Sequence, residues 1–287
     1  MEPKPETRKR EVGEDIKDLE VFLRENFHEI IGIINAVRHG HSNYTENYPD
    51  LTPEGKEAVG ERAKIIVQEA EKFDELATKI DPDIKQDVMF VSSPKPRAMA
   101  SSDIIEAKFK EHTSDKIRIK DLSTDKGEVR TKKSLRAMDI HDLVPSLLLI
   151  LNIAKNRGGW TPRRADYLNI NEPEYEDEEK LWEKRSNVKD RFLGALSAAT
   201  RTLKRYRETQ NAIPRAVVSS HFEGLNPIVM EVFGLSRSEE QNEILDRAEG
   251  YTIYLLQSSD PDNIPMVIKF RDKTKKVIFN RETKQFT

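Results

Sequence analysis

Arg38, His39, Gly40 and His41 follow the apolar run Ile31 to Val37, so a fixed cation and two imidazoles stand where a strand would stop. An arginine presents a planar fork of donors suited to phosphate or carboxylate. A glycine lets the backbone turn sharply or approach a ligand closely. Two further positions of the same kind lie downstream: Arg97 follows the apolar run Val88 to Val91, and His221 follows Ala216 to Ser220. Two guanidiniums can neutralise a dianionic phosphoryl group bidentately, and histidine is among the few side chains able to attack phosphorus and leave again near neutral pH. The set suits phosphoryl transfer through a phosphohistidine. A metal site is the competing chemistry, with His39 and His41 as an H-x-H pair joined by His221, because alternate residues of a strand face the same way. Spacing supplies no carboxylate ligand for it, and an arginine beside a dication would be repelled. No metal is expected.

Residues so far apart in the chain can meet only if a sheet brings strand ends to one edge. The periodicities describe such a sheet. Ile16 to Phe27 read as a short helix, and Ile31 onward as a buried strand. A polar loop, Asn43 to Asp50, leads to Thr52 as a plausible N-cap with Pro53 at the first helical position. Val59, Ala63, Ile66, Ala70 and Phe73 then form one apolar stripe on a helix of about 25 residues. A second strand at Val88, a helix from near Pro94 to about Lys110, a third strand over Ile117 to Leu122 and a polar turn from Ser123 to Glu128 follow. The fourth strand is Ala216 to Ser220. Three more, Tyr251 to Leu256, Met266 to Phe270 and Lys276 to Phe279, complete the chain, the last two joined by a tight turn at Asp272 to Lys275.

Alternating strand and helix signals predict a parallel sheet with helices on both faces, and ligands bind such sheets at the strands' carboxyl edge. The helix starting near Pro94 points a partial positive charge at that edge, which also favours an anion. The expected fold is therefore three-layer α/β/α, with a central mainly parallel sheet and a helical insertion over the active-site edge. Residues 1–27 read as a tail and short helix, and 28–287 as one domain with its insertion at about 129–210. The acidic cluster Glu172 to Glu179 reads as a solvated helix start.

The chain's 287 residues could hold one large domain or two small ones. Hydrophobic residues are 36% and charged residues 34%, a profile that is strongly charged without being disordered. The net charge of -3 gives no electrostatic reason to expect nucleic acid or an anionic membrane as partner. The lack of cysteine excludes thiolate nucleophiles, disulfides and cysteine-bound metals. Charges occupy the N-terminal stretch where a secretory signal needs its apolar segment, and no run approaches the roughly 18 apolar residues of a membrane span. The expectation is a cytoplasmic protein.

Four segments carry a resemblance to a known family. V-R-H-G-H-S, ending at Ser42, resembles the signature of the histidine phosphatase superfamily, which includes the cofactor-dependent phosphoglycerate mutases and many phosphatases. L-T-P-E-G at Leu51 to Gly55 resembles its L-T-x-x-G, V-S-S-P-K-P-R-A at Val91 to Ala98 its S-S-P-x-x-R-A, and V-V-S-S-H at Val217 to His221 the strand that brings the second histidine. The segments fall in the family's order and span most of the chain. The resemblance implies that His39 is the nucleophile, that Arg38, Arg97 and His221 hold the transferred phosphate with Ser42 touching it, and that no cofactor is needed. It implies a phosphoric ester hydrolase acting on a small phosphorylated substrate or a phosphoprotein. Three departures bear on the mutase reading. Thr45 stands where the mutases have an asparagine, their acid after the third strand aligns near Thr124, and Phe222-Glu223-Gly224 replaces a small glycine-rich turn. The proton donor is then Glu128, which Gly127 frees to point inward, or Glu223, two residues after the second histidine as in the acid phosphatase branch. A mutase-like phosphotransferase and a non-catalytic phospholigand-binding protein are the alternatives.

Overall fold

The strand β2 (Ile30–Arg38) has no charge before its last residue and is buried up to Arg38, as a strand covered on both faces must be. In the computed structural model, which describes residues 13–42, 51–112, 116–120, 123–124, 127–128, 185–235 and 245–287, it runs through the middle of a nine-stranded sheet. On one side β2 pairs in parallel with β7 (Ala212–Ser220), β7 with β3 (Lys85–Ser92), and β3 with β4 (Ile117–Ile119). These four parallel strands are consecutive in the sheet. On the other side of β2 the sheet continues antiparallel through β8 (Gly250–Leu256), β9 (Asn263–Phe270) and β10 (Lys273–Asn280). Two short strands, β1 (Glu14–Asp15) and β11 (Gln285–Phe286), cover the outer edge of β10. The fold is α/β, a mixed sheet whose central strands are parallel and flanked by helices.

Side-chain alternation along the strands decides what each face meets. Val37, Val88, Phe90 and Val217 pack with Val59, Ala63, Ile66 and Ala70 of α2 (Pro53–Ile80) and with Ile105 and Phe109 of α3 (Pro96–His112). Ile34, Ala36, Met89 and Ala216 point the other way, onto Phe192, Leu193 and Leu196 of α4 (Arg185–Thr209) and Leu225, Ile228 and Val229 of α5 (Phe222–Phe233). A third cluster joins Leu23 of α1 (Leu19–Glu25) and Phe27 to Ile30, Ile33 and Phe73. The start of α2 is as its sequence predicts: Thr52 Oγ1 accepts from the Gly55 amide at 3.1 Å and Pro53 opens the helix. Of the expected insertion, 129–184 lies outside the described residues, the acidic cluster with it. Its remainder is α4, packed on the sheet.

Three local expectations shift. The third strand ends at Ile119, and the polar turn beyond it contains its own two-stranded ladder, β5 (Ser123–Thr124) with β6 (Gly127–Glu128). The last hairpin turns at Arg271 and Asp272, with Arg271 at φ 54, and Lys273 already pairs with Phe270. Its lysines read as a turn, but lysines suit an outer strand, where charge discourages edge-to-edge pairing. The end of the expected tail forms β1, reached through Gly13 at φ 83, where a side chain would strike the Lys276 carbonyl. No helix among the described residues is long and apolar enough to cross a membrane.

A polar network crosses the parallel strands beneath α2. Arg215 on β7 is fully buried and donates to Gln86 Oε1 on β3 and, at 2.8 Å, to Asn35 Oδ1 on β2. Asn35 passes its amide to Thr252 Oγ1 at 2.9 Å, and Glu69 of α2 accepts from Thr252 at 3.2 Å and from Lys269 at 2.8 Å. A buried guanidinium is tolerable only when such partners replace its water. Arg215→Met would strip Asn35 Oδ1 and Gln86 Oε1 of their donor, at about 1–3 kcal/mol for each orphaned buried group. Urea denaturation should show a loss of about 3 kcal/mol, and a change within about 0.5 kcal/mol, the usual range of a surface substitution, would refute this account.

Candidate active site

The register of the parallel strands builds the site. Arg38 lies opposite Ser220 and Ser92 opposite Ser219, so β2, β7 and β3 end at one level. The ladder runs one residue further, with the His39 amide on the Ser220 carbonyl at 3.0 Å and the Ser93 amide on the Ser219 carbonyl at 2.9 Å. The imidazoles of His39 and His221 are brought edge to face, their centroids 4.9 Å apart. Both histidines are buried, at 7% and 1% exposure.

The hydrogen bonds of His39 define its proton. Nδ1 lies 2.7 Å from the Gly40 carbonyl, which can only accept, so Nδ1 carries the hydrogen. Nε2 then has a lone pair, and it accepts from Arg97 Nε at 3.0 Å. Arg97 stands in the first turn of α3, so its guanidinium belongs to the positive end of that helix. Ser101, one turn along, bonds the Arg97 carbonyl at 2.8 Å and receives the Gly40 amide at 3.2 Å, tying α3 to the turn that carries His39. Gly40 has no room for a side chain: a Cβ would lie 2.4 Å from the Gly55 carbonyl and 2.8 Å from Val59. The R-H-G turn and the L-T-P-E-G helix start are thus one packed unit, also joined by the Thr52 amide on the His41 carbonyl at 2.9 Å. His41 is exposed and Ser42 half-buried on the way out of this turn.

Arg38 points to the opposite face, as alternation requires. Its guanidinium donates to the Leu245 carbonyl at 2.6 Å and stacks 4.9 Å over the ring of Phe222. The segment Leu245 to Glu249 closes this side, with the Arg38 amide on the Glu249 carbonyl at 2.8 Å and the Ala248 amide on the His39 carbonyl at 3.2 Å. Ala248 adopts φ 64, a conformation costly for alanine. Among the expected site residues the structure therefore gathers Arg38, His39, Arg97 and His221 at one edge. Glu223 has its backbone in the first turn of α5, directly after His221, and Glu128 lies on β6 opposite Ser123. Thr45 lies outside the described residues. Sequence reasoning missed Ser93, which bonds His221 Nε2 at 2.8 Å, and the whole 245–249 segment. Ser93 could have been suspected from the S-S-P motif. Nothing in the pattern around Arg247 distinguishes it from any charged loop.

The charged side chains that bear on the two imidazoles include Arg97, Arg38, Arg247 and Lys95. Burial holds His39 well below the usual 6.5, as do Arg97, Arg38 and Arg247, against a raising effect of the Gly40 carbonyl. Burial likewise lowers His221, with His39, Arg97, Lys95 and Arg38 adding to it. Both rings are neutral at pH 7, in a field that calls for an anion. Because folding depresses both values, the unfolded chain binds more protons as pH falls below about 6.5, and stability declines from there down through the folded values. Melting temperature should therefore drop on acidification below about pH 6.5, and His221→Asn should make the decline shallower. A variant profile parallel to the wild type over that range would refute the assignment.

No protein-family profile matches the chain, and no curated protein does. Among solved structures it is similar to a mycobacterial glucosyl-3-phosphoglycerate phosphatase at 12% identity and a TM-score of 0.46, over 83% of this chain and 97% of that one. Mycobacterial hydrolase 2 is similar at 11% identity and a TM-score of 0.48, over 86% and 88%. Multiple inositol polyphosphate phosphatase of Bifidobacterium longum is similar at 9% identity and a TM-score of 0.44, over 85% and 86%.

Proposed function

We propose that the protein is a phosphoric monoester hydrolase that works through a phosphohistidine on His39. The observation that supports this most directly is the state of His39: a buried, neutral imidazole whose Nδ1–H is held by Gly40 and whose Nε2 lone pair meets the Arg97 guanidinium. A nucleophilic nitrogen is rarely kept unprotonated among cations unless the partner it awaits is an anion. Phosphate would take over the Arg97 fork, freeing Nε2, and would gain Arg38, His221, the half-buried Ser42 and the N-termini of α3 and α5.

Nε2 then forms a bond to phosphorus as the ester P–O bond breaks, and the leaving oxygen takes a proton from a carboxylic acid. Water next attacks phosphorus, giving its proton to the same carboxylate, and the N–P bond breaks to release phosphate and restore His39. Glu128 is the first choice for the acid and Glu223 the second.

Release of phosphate from a panel of phosphorylated metabolites and phosphopeptides tests the reading, with acid-labile labelling of His39 marking the intermediate. His39→Ala should abolish turnover of every ester. Glu128→Gln should slow esters with alkoxide leaving groups by about 10²- to 10⁴-fold yet leave p-nitrophenyl phosphate nearly unchanged, since a nitrophenolate departs without a proton. The same pattern in Glu223→Gln alone would move the role there. A wild type that binds phosphate but hydrolyses nothing would instead indicate a phospholigand-binding protein.

The guanidiniums and helix termini provide the charge that a divalent cation supplies in other phosphoryl-transfer sites. Hydrolysis should therefore survive EDTA. Loss on chelation with recovery on adding zinc or manganese would favour the H-x-H metal chemistry.

A further inference from the structure

His221 has two ring nitrogens in different situations. Nε2 lies 2.8 Å from Ser93 Oγ, while Nδ1 is buried and has no hydrogen-bond partner among the described residues. Ser93 is itself wholly buried, and its Oγ also accepts from the Lys95 amide, at the long distance of 3.4 Å. A serine hydroxyl has one hydrogen to give. Were His221 to donate from Nε2, the Ser93 hydroxyl hydrogen and the Nδ1 lone pair would both be left buried without partners. With Ser93 donating to Nε2, a single group is left over, the Nδ1–H. Burial and the surrounding cations keep the ring neutral, so one nitrogen only carries a proton.

We propose that Ser93 is a positioning residue: it donates to His221 Nε2 and so fixes the tautomer that presents Nδ1–H as a hydrogen-bond donor to a phosphoryl oxygen at the His39 site. The orphaned Nδ1–H is the second half of the argument, because a buried donor beside Arg97 and Arg38 finds its acceptor when an anion arrives. The fold enforces the placement. Ser93 is held by its amide on the Ser219 carbonyl, two residues before His221, so the hydroxyl and the imidazole sit on adjoining strand ends. Without Ser93 the ring could exchange to the Nε2–H tautomer and offer the anion a lone pair instead, which repels it.

The consequence for phosphate rests on the phosphatase reading, whereas the tautomer does not, and the experiment separates them. Histidine-labelled protein is observed by long-range ¹H–¹⁵N correlation, with His221→Asn assigning the ring. In the wild type His221 should show a protonated Nδ1 and an unprotonated Nε2. Ser93→Ala should move intensity towards the Nε2–H form and raise the dissociation constant of orthophosphate about tenfold, the scale of a charge-assisted hydrogen bond. Ser93→Thr, which keeps the hydroxyl, should restore both. A proton on Nε2 in the wild type would overturn the proposal, as would a Ser93→Ala protein with unchanged tautomer and phosphate affinity. A wild type that shows the Nδ1–H tautomer but turns over no ester would keep Ser93 in its role and remove the hydrolase reading alone.

Discussion

Everything at the site depends on the register in which three parallel strands stop together. Shifting β7 by one residue against β2 would turn every side chain of one strand to the other face. His221 would leave His39, and Arg215 would leave Asn35 and Gln86. The two consequences are linked, because Arg215 and His221 ride on the same strand. Its buried hydrogen bonds to β2 and β3 select a single alignment, since any other leaves a desolvated guanidinium without acceptors. The network lies within the sheet, away from the imidazoles, and sets where they go.

Around those strand ends the described residues concentrate positive charge. His39 Nε2 accepts, but Arg38, Arg97, Arg247 and Lys95 all bring positive charge to the two histidines. The start of α3 follows Ser93 within a few residues, and the start of α5 follows His221 at once. β3 and β7 thus hand their site residues directly to a helix N-terminus. That economy is a property of parallel α/β sheets, where the crossover helices begin at the carboxyl edge.

Arg38 and His39 are adjacent in sequence but work on opposite faces of the sheet, and each has its own support. The Gly40–Gly55 contact and Ser101 hold the His39 side, while Phe222 and the Leu245 carbonyl hold Arg38. Phe222 directly follows His221, and its stacking has a physical consequence, since an aromatic face fixes a guanidinium that a glycine would leave loose.

The sequence alone determined whatever is local: the apolar run ending in Arg38 and His39, the Thr52 cap and Pro53 start of α2, the stripe from Val59 to Phe73, and the strands delivering Arg97 and His221. Period and capping chemistry act over a few residues and can be read from them. The parallel centre of the sheet followed from the alternation of element types. Tertiary structure decided which ring nitrogen of His39 bears the proton, that Ser93 lies against His221, that Leu245 to Glu249 wraps behind Arg38, and that the lysine-rich stretch after Asp272 is strand and not turn. Ser93 on His221 and Leu245 on Arg38 are contacts between residues far apart in the chain, while the His39 proton follows from how one turn folds onto the Gly40 carbonyl and the lysine strand from its pairing with β9, and no period within a short window carries such information. Only the folded sheet brings the two partners into range.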